Sequence, residues 1–325
     1  MAELARVLIY GDLHLSSKNY GAHNNYPEDS LNALKLVTKY AKEYNATHII
    51  GLGDFTFGRF HTLEYRAKVE EELKAQYDIC NGKRYELKGN HDSAGYGMTE
   101  YDYYVLKGLL KPSVNFSIGT ANFTLVDSGE YAKVIPNIKG NEEVNFILMH
   151  DYFKFSDTNV PDYGKAIDLD HFLNWYGADH IIGGHIHNSE FFEGLMLKTV
   201  DGQTYGHRCT VDYLGSMSRP AYREGHTDEE GHILILTIYD NGEYKYDRLD
   251  IELPAIAEVF NLAAKEAEKE KKEAKENRVD ISDIVHRLAE HERSIGNPED
   301  IISALEGIDE KYKAKAIELL KIGLG

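Results

Sequence analysis

Five short motifs, almost all at or just past the end of an apolar run, constrain this chain more than anything else in it. They are Gly11-Asp12-Leu13-His14, Gly53-Asp54, Gly89-Asn90-His91-Asp92, Met149-His150-Asp151 and Gly184-His185-Ile186-His187. Each offers carboxylate, amide or imidazole donors. A short apolar run bounded by turn residues reads as a buried strand. The donors therefore sit at strand ends drawn from distant parts of the chain. They can meet only if the fold places those ends side by side, as open α/β sheets do at the carboxyl ends of their strands. Taken singly, the motifs have plain readings: Asp-x-His and Gly-Asp as turns, Gly-Asn-His-Asp as a helix cap, His150 and His185 as core histidines. Accident does not explain the whole ordered set.

The alternation around the motifs points the same way. Arg6–Tyr10, His48–Leu52 and Arg84–Leu87 read as strands. Between them, Glu28–Asn45 carries Leu31, Leu34, Val37 and Ala41 near helical spacing, and His61–Asp78 is a second helical stretch. Strand–helix–strand order predicts an α/β layer with a largely parallel sheet. Asn115–Ser117 and Asn122–Val126 look like antiparallel strands. Val144–Met149 and His180–Ile182 are strands leading into histidine motifs, with a helix expected from Asp168 to Tyr176. From Glu190 to Leu253 the chain reads as mostly β, and Asp240-Asn241-Gly242 marks a hairpin turn. A second sheet packed on the first is the natural result. Pro254 marks a break. Residues 1–253 form the expected catalytic domain, and residues 254–325 a charged helical linker followed by amphipathic helices.

Composition narrows the classes. The chain has 325 residues, 42% hydrophobic and 28% charged, ordinary for a globular protein. Its two cysteines, Cys80 and Cys209, form no CxxC pair, which argues against a disulfide framework or a thiolate zinc site and suits a reducing cytoplasm. No apolar run is long enough to span a bilayer, and the opening residues lack the build of a signal peptide. A cytoplasmic location without a membrane partner is expected. The net charge of −18 gives no overall attraction to nucleic acid.

Two divalent ions about 3.5–4 Å apart can grip a phosphoryl oxygen and an attacking hydroxide together. Asp54 is the expected bridging carboxylate. Asp12, His14 and His187 would complete one ion's set, and Asn90, His150 and His185 the other's. Mixed nitrogen and oxygen donors suit Mn²⁺, Fe²⁺, Zn²⁺ or Co²⁺ better than Ca²⁺, with Mn²⁺ the first expectation. His91 is expected to face the substrate and either protonate the leaving alkoxide or stabilise charge in the transition state, with Asp92 orienting it. Nothing calls for a covalent intermediate.

These residues resemble the calcineurin-like metallophosphoesterases over roughly residues 6–220. The resemblance implies a two-sheet β-sandwich flanked by helices, with a dinuclear centre at one edge, the metal ligands named above and His91 as catalytic histidine. Within the family the chain is most similar to the nuclease subunit of bacterial SbcCD complexes and its phage relatives. Gly11-Asp12-Leu13-His14-Leu15, Gly89-Asn90-His91-Asp92 and Tyr213-Leu214-Gly215-Ser216-Met217 carry that likeness. The acidic neighbour usual at the second motif is absent from Gly53-Asp54-Phe55-Thr56-Phe57. The resemblance implies a DNA exonuclease or endonuclease; the alternative is a small-molecule phosphoesterase for cyclic nucleotides or nucleoside phosphates.

Aromatic and basic residues cluster behind the motifs. Arg59, His61 and Tyr152 are the candidate substrate contacts, with Tyr20, Phe57, Phe60, Tyr96 and Phe153 nearby. With 23 tyrosines in the chain, packing is an equal reading. Residues 279–324 have the amphipathic character to dock on an ATPase partner, as the helices after the SbcCD nuclease core do. Packing on their own sandwich or forming a homodimer are the other readings.

Overall fold

Strand β1 (Glu3–Tyr10) shows how the layers are built. Val7, Leu8, Ile9 and Tyr10 are all fully buried, so both faces of the strand are covered. Side chains alternate across a strand. Leu8 and Tyr10 enter one apolar cluster with the helices, while Val7 and Ile9 enter another between two sheets. The computed structural model describes residues 1–19, 23–58, 61–93, 97–133, 143–154, 167–168, 177–200, 203–219, 231–251, 253–263 and 266–267. Arg59, Tyr20, Phe60, Tyr96, residues 169–176 of the expected helix and residues 279–324 lie outside the described residues. The chain divides into two compact units, Met1–Asn261 and Leu262–Gly325; the elements below belong to the first.

The first sheet has five strands in the order β13-β12-β1-β2-β3, with β2 at His48–Gly51, β3 at Arg84–Glu86, β12 at Gly231–Tyr239 and β13 at Tyr244–Ile251. It is parallel on one side only. β1, β2 and β3 run parallel because helices α1 (Tyr26–Glu43) and α2 (Leu63–Ile79) supply the crossovers. β12 and β13 are joined by the expected hairpin, with Gly242 at φ 87°, and add antiparallel strands at the other edge. The sheet is therefore mixed rather than largely parallel.

The second sheet has six strands in the order β10-β11-β9-β6-β5-β4. These are β4 (Phe116–Ile118), β5 (Ala121–Val126), β6 (Val144–Met149), β9 (His180–Gly183), β10 (Glu190–Val200) and β11 (Gln203–Tyr213). A small pair, β7 (Phe153–Lys154) and β8 (Ile167–Asp168), lies beside it. Phe116, Phe123, Phe146 and His180 occupy successive register positions across four strands, their rings stacked at 4.9–5.1 Å. Such cross-strand pairs hold register.

Both helices bury one stripe. In α1 that stripe is Tyr26, Leu31, Leu34, Val37 and Ala41; α2 is capped by the Thr62 side chain and contributes Tyr65, Val69 and Leu73. Helix α3 (Glu100–Leu106) is absent from the expected elements; its signal is a capping box between Thr99 and Asp102. A single-turn helix, α4 (Ile256–Val259), follows β13. No helix of the described residues is long and apolar enough to cross a membrane.

Candidate metal centre

All five motifs emerge at carboxyl ends: the first three after β1, β2 and β3, the last two after β6 and β9. The strand ladder continues into the loops. Leu52 N–H donates to Tyr10 O at 3.0 Å, His14 N–H to Asp54 O at 2.8 Å, and Gly184 N–H to Met149 O at 2.9 Å. The ligand loops are thus extensions of the sheets.

Three of the expected ligands have left-handed backbones: His14 (φ 48°), Asp54 (φ 46°) and His185 (φ 77°). Non-glycine residues seldom adopt this region, at a cost of about 1–3 kcal/mol each, and such strain gathers at functional sites. The glycines beside them serve close approach. A Cβ on Gly89 would lie 2.1 Å from Asp54 Oδ1, and one on Gly184 would lie 2.4 Å from Leu52 O and 2.8 Å from both Asp12 Oδ1 and His150 Nδ1.

The donors converge as two sets joined at Asp54. In the first, His14 Nε2 lies 3.0 Å from His187 Nε2, 3.8 Å from Asp12 Oδ2 and 3.9 Å from Asp54 Oδ2. In the second, His150 Nε2 lies 3.2 Å from Asp54 Oδ2 and 3.1 Å from Asn90 Oδ1, which is also 3.1 Å from His185 Nδ1. Asp12–His14–His187 and Asp54–His150–His185 are groups whose donor atoms lie within 4.8 Å of one another, and His14–Asp54–His91 is a third. Asp12, His14, Asp54 and His150 are buried; Asn90, His91 and His185 are exposed on the open side.

The residues fit a pair of divalent ions. Among the described residues, no lysine or arginine pairs with Asp12 or Asp54; the side chains that ion-pair with them are imidazoles. His150 Nδ1 donates to the Leu52 carbonyl at 2.8 Å, so Nε2 is the nitrogen that faces Asp54 and Asn90, as an N–H when protonated and as a lone pair for a cation once that proton is lost. Burial alone would keep His150 neutral, but Asp12 and Asp54 raise it to about 10. A cation and a proton compete for that nitrogen. Burial lowers His14 and keeps it neutral, as a ligand must be. Burial raises Asp12. It pushes Asp54 up as well, but the His150 hydrogen bond and charge, then His14 and His91, hold Asp54 below the ordinary carboxylate range.

His91 stands at the rim. Its backbone N–H donates to Asp54 Oδ1 at 2.8 Å. Its ring lies 5.2 Å from that of His14 and 4.9 Å from that of Phe57, centroid to centroid. The orienting role expected of Asp92 toward His91 is corrected by its partners. Fully buried, the carboxylate accepts from the backbone N–H groups of Phe55, Thr56 and Gly89 and from the Thr56 hydroxyl, at 2.8–3.1 Å. It ties the second motif to the third. Burial, with the charge of Asp54 added, pushes it up to about 7 against those donors.

Two expected substrate contacts are wall instead of lining. His61 is buried; its Nε2 donates to Leu15 O at 2.9 Å, and its backbone N–H to Glu100 Oε1 at 2.9 Å. Tyr152 is also buried and packs in the cluster on the far side of the second sheet. Both follow a motif closely, but the loop turns them inward, where their polar atoms or rings find partners.

One set of residues acts here beyond the motifs themselves. Ser216 N–H donates to His187 O at 3.0 Å, Met217 N–H to Asp12 O at 2.8 Å, and Ser216 Oγ to Asp12 O at 3.1 Å. The Gly-Ser element following the last histidine pair thereby clamps the first and last motifs together.

A family model described as calcineurin-like phosphoesterase matches residues 5–189, a span that holds all five motifs. No curated protein matches the chain by sequence. Among solved structures, a dimetal phosphatase from Danio rerio is similar, with 12% identity and a TM-score of 0.44 over 78% of this chain and 100% of that one.

Proposed function

Because the chain belongs to the calcineurin-like phosphoesterase family, we propose that it hydrolyses phosphodiester bonds with two divalent ions, and that its substrate is DNA. The observation that carries the two-metal reading is Asp54, whose Oδ2 is reached from both sides, 3.9 Å from His14 Nε2 and 3.2 Å from His150 Nε2. Asp12, His14 and His187 would hold one ion, Asn90, His150 and His185 the other, with Asp54 shared. When bound, such ions withdraw charge from phosphoryl oxygens and make water acidic enough to attack. Mn²⁺ is the proposed ion.

The chain's own residues do the rest. His91, its backbone fixed on Asp54 and its ring at the open rim, gives a proton to the departing oxygen. Phe57 stands beside that ring and offers a face for an incoming base. The DNA reading is supported by the Gly-Asn-His-Asp motif and by the Gly215-Ser216 element, both similar to those of the SbcCD nuclease subunit. Residues 279–324 are the proposed dock for an ATPase partner, which would supply the basic surface a chain of charge −18 lacks.

The test is hydrolysis in Mn²⁺ of bis-p-nitrophenyl phosphate beside end-labelled single- and double-stranded DNA, with Asp54→Ala as control. DNA degraded only when Asp54 is present supports the nuclease. Cleavage of the small diester, with DNA intact even after a partner ATPase is added, leaves a small-molecule phosphoesterase. No Asp54-dependent hydrolysis at all ends the proposal.

A further inference from the structure

The left-handed backbone of His14 has to be held from outside, because a histidine stays at φ 48° only where its surroundings over-determine it. Three hydrogen bonds do so. His14 N–H donates to Asp54 O at 2.8 Å. The preceding carbonyl, of Leu13, accepts the Ser218 hydroxyl at 2.8 Å. The carbonyl of His14 itself accepts the Tyr26 hydroxyl at 2.9 Å. The Tyr26 and Ser218 oxygens are 3.3 Å apart, so the two hydroxyls clamp successive carbonyls of one loop.

Tyr26 lies outside every motif, at the first position of α1, and is fully buried. Its ring is seated by a second layer. The His23 ring lies 4.7 Å from it and 4.4 Å from the Phe260 ring on the other side. Asn24 N–H donates to Val259 O at 2.8 Å, and the Asn24 amide to Glu258 O at 2.8 Å. The segment after β13 therefore fixes the ring whose hydroxyl reaches the site.

The geometry points to Tyr26 as a positioning residue for His14: its hydroxyl pins the carbonyl of a metal ligand and so aims the imidazole at Asp12 and His187. This rests on the two-metal reading above. If the carbonyl is released, the peptide can turn out of the left-handed region. The Cα–Cβ bond then swings and carries Nε2 away from its 3.0 Å approach to His187. Partners that orient metal ligands typically change affinity about 10- to 100-fold when removed.

Tyr26→Phe keeps the ring against His23 and deletes only the hydroxyl. The experiment uses the full chain, stripped of metal, and calorimetric titration with Mn²⁺ alone. In a His185→Ala background, which weakens the second donor set, Tyr26→Phe is expected to weaken Mn²⁺ binding on the order of tenfold. In a His187→Ala background, which weakens the first, it is expected to change the remaining affinity less than twofold. Packing alone would weaken both backgrounds or neither, and either result overturns the inference. If Tyr26→Phe does not fold, Ser218→Ala tests the same clamp with the same required asymmetry. Failure of the two-metal reading looks different: the His185→Ala and His187→Ala proteins, with Tyr26 intact, would both bind no Mn²⁺.

Discussion

Replacing Gly89 with alanine should disable the centre without removing a single donor side chain. The new Cβ would stand 2.1 Å from Asp54 Oδ1 and 2.2 Å from Asp54 N, against an ordinary heavy-atom contact of about 3.5 Å. No flexible tip can give way. Asp54 N is backbone, Asp54 O already accepts His14 N–H at 2.8 Å, and Asp54 Oδ1 accepts His91 N–H at 2.8 Å. The second and third motifs must part by about 1 Å, and Asp54 moves with them.

Overpacking of this kind costs about 1–3 kcal/mol of stability. The larger effect falls on the chemistry, because metal donors tolerate about 0.2 Å and a misplacement of about 1 Å can lower a rate on the order of 100-fold. The assay is kcat on bis-p-nitrophenyl phosphate at saturating Mn²⁺, with urea unfolding alongside. Gly108→Ala is the control: that glycine also has a positive φ, 71°, but nothing lies within 4 Å of the new Cβ. It should lose about 1–2 kcal/mol of stability and keep its kcat. A Gly89→Ala protein within twofold of wild-type kcat would refute the reasoning, as would a Gly108→Ala protein equally inactive.

Three other outcomes follow from the same structure. His91→Gln should lower kcat about 10²- to 10⁴-fold while leaving Mn²⁺ affinity unchanged; a matching loss of affinity in calorimetry would make His91 a ligand, as its grouping with His14 and Asp54 allows. Arg84, fully buried, donates to Glu86 at 2.9 Å, to Gln76 at 2.7 Å and to the Tyr10 hydroxyl at 2.5 Å. Arg84→Met strands the Glu86 carboxylate and should cost about 3–5 kcal/mol in urea unfolding; a loss under about 1 kcal/mol would show that Glu86 simply takes up a proton. Burial, with Lys83 and Lys111 adding, lowers His48 to about 4, and burial lowers His180 to about 4 against Asp179. The unfolded chain binds protons near pH 6.5 that the folded protein refuses, so this stability is complete above pH 6.5 and is lost as pH falls toward 4. Urea midpoints between pH 7 and 5 should fall less steeply in His48→Phe, and an unchanged slope would contradict the assignment.

The donor sets were legible because a ligand following a buried strand has little freedom. Gly53-Asp54 after His48–Leu52 must emerge at a carboxyl end, whatever the rest of the chain does. Side-chain direction past that point was not legible. His61 and Phe57 both follow the second motif, yet one ring turns inward to the Leu15 carbonyl and the other lies against His91. Only the packing of α2 and α3 decides between them. Helix α3 was hidden for a related reason: Tyr101, Tyr103 and Tyr104 suit a strand as well as a helix, and only the Thr99–Asp102 box breaks the tie. Tyr26 could not be found among 23 tyrosines, because its role depends on a carbonyl twelve residues away.

Asp12 shows why the site and the sandwich cannot be separated. Its two carboxylate oxygens accept the His185 N–H at 3.1 and 3.2 Å, so a donor after β1 in one sheet holds the loop after β9 in the other. Its backbone carbonyl takes Met217 N–H and Ser216 Oγ, which bring in the loop after β11. A substitution at Asp12 therefore removes a proposed metal donor and a staple between sheets at once, and its loss of activity says little about either. His14 and His187 are different. The Nε2 atoms of both face the donor set, 3.0 Å from each other, while the backbone around them is held by Asp54, Tyr26 and the Ser216–Ser218 segment. Alanine there removes the imidazole and leaves those holds in place. Of the two proposed ligands after β1, His14 is the one whose replacement reads metal binding without also removing a staple between sheets.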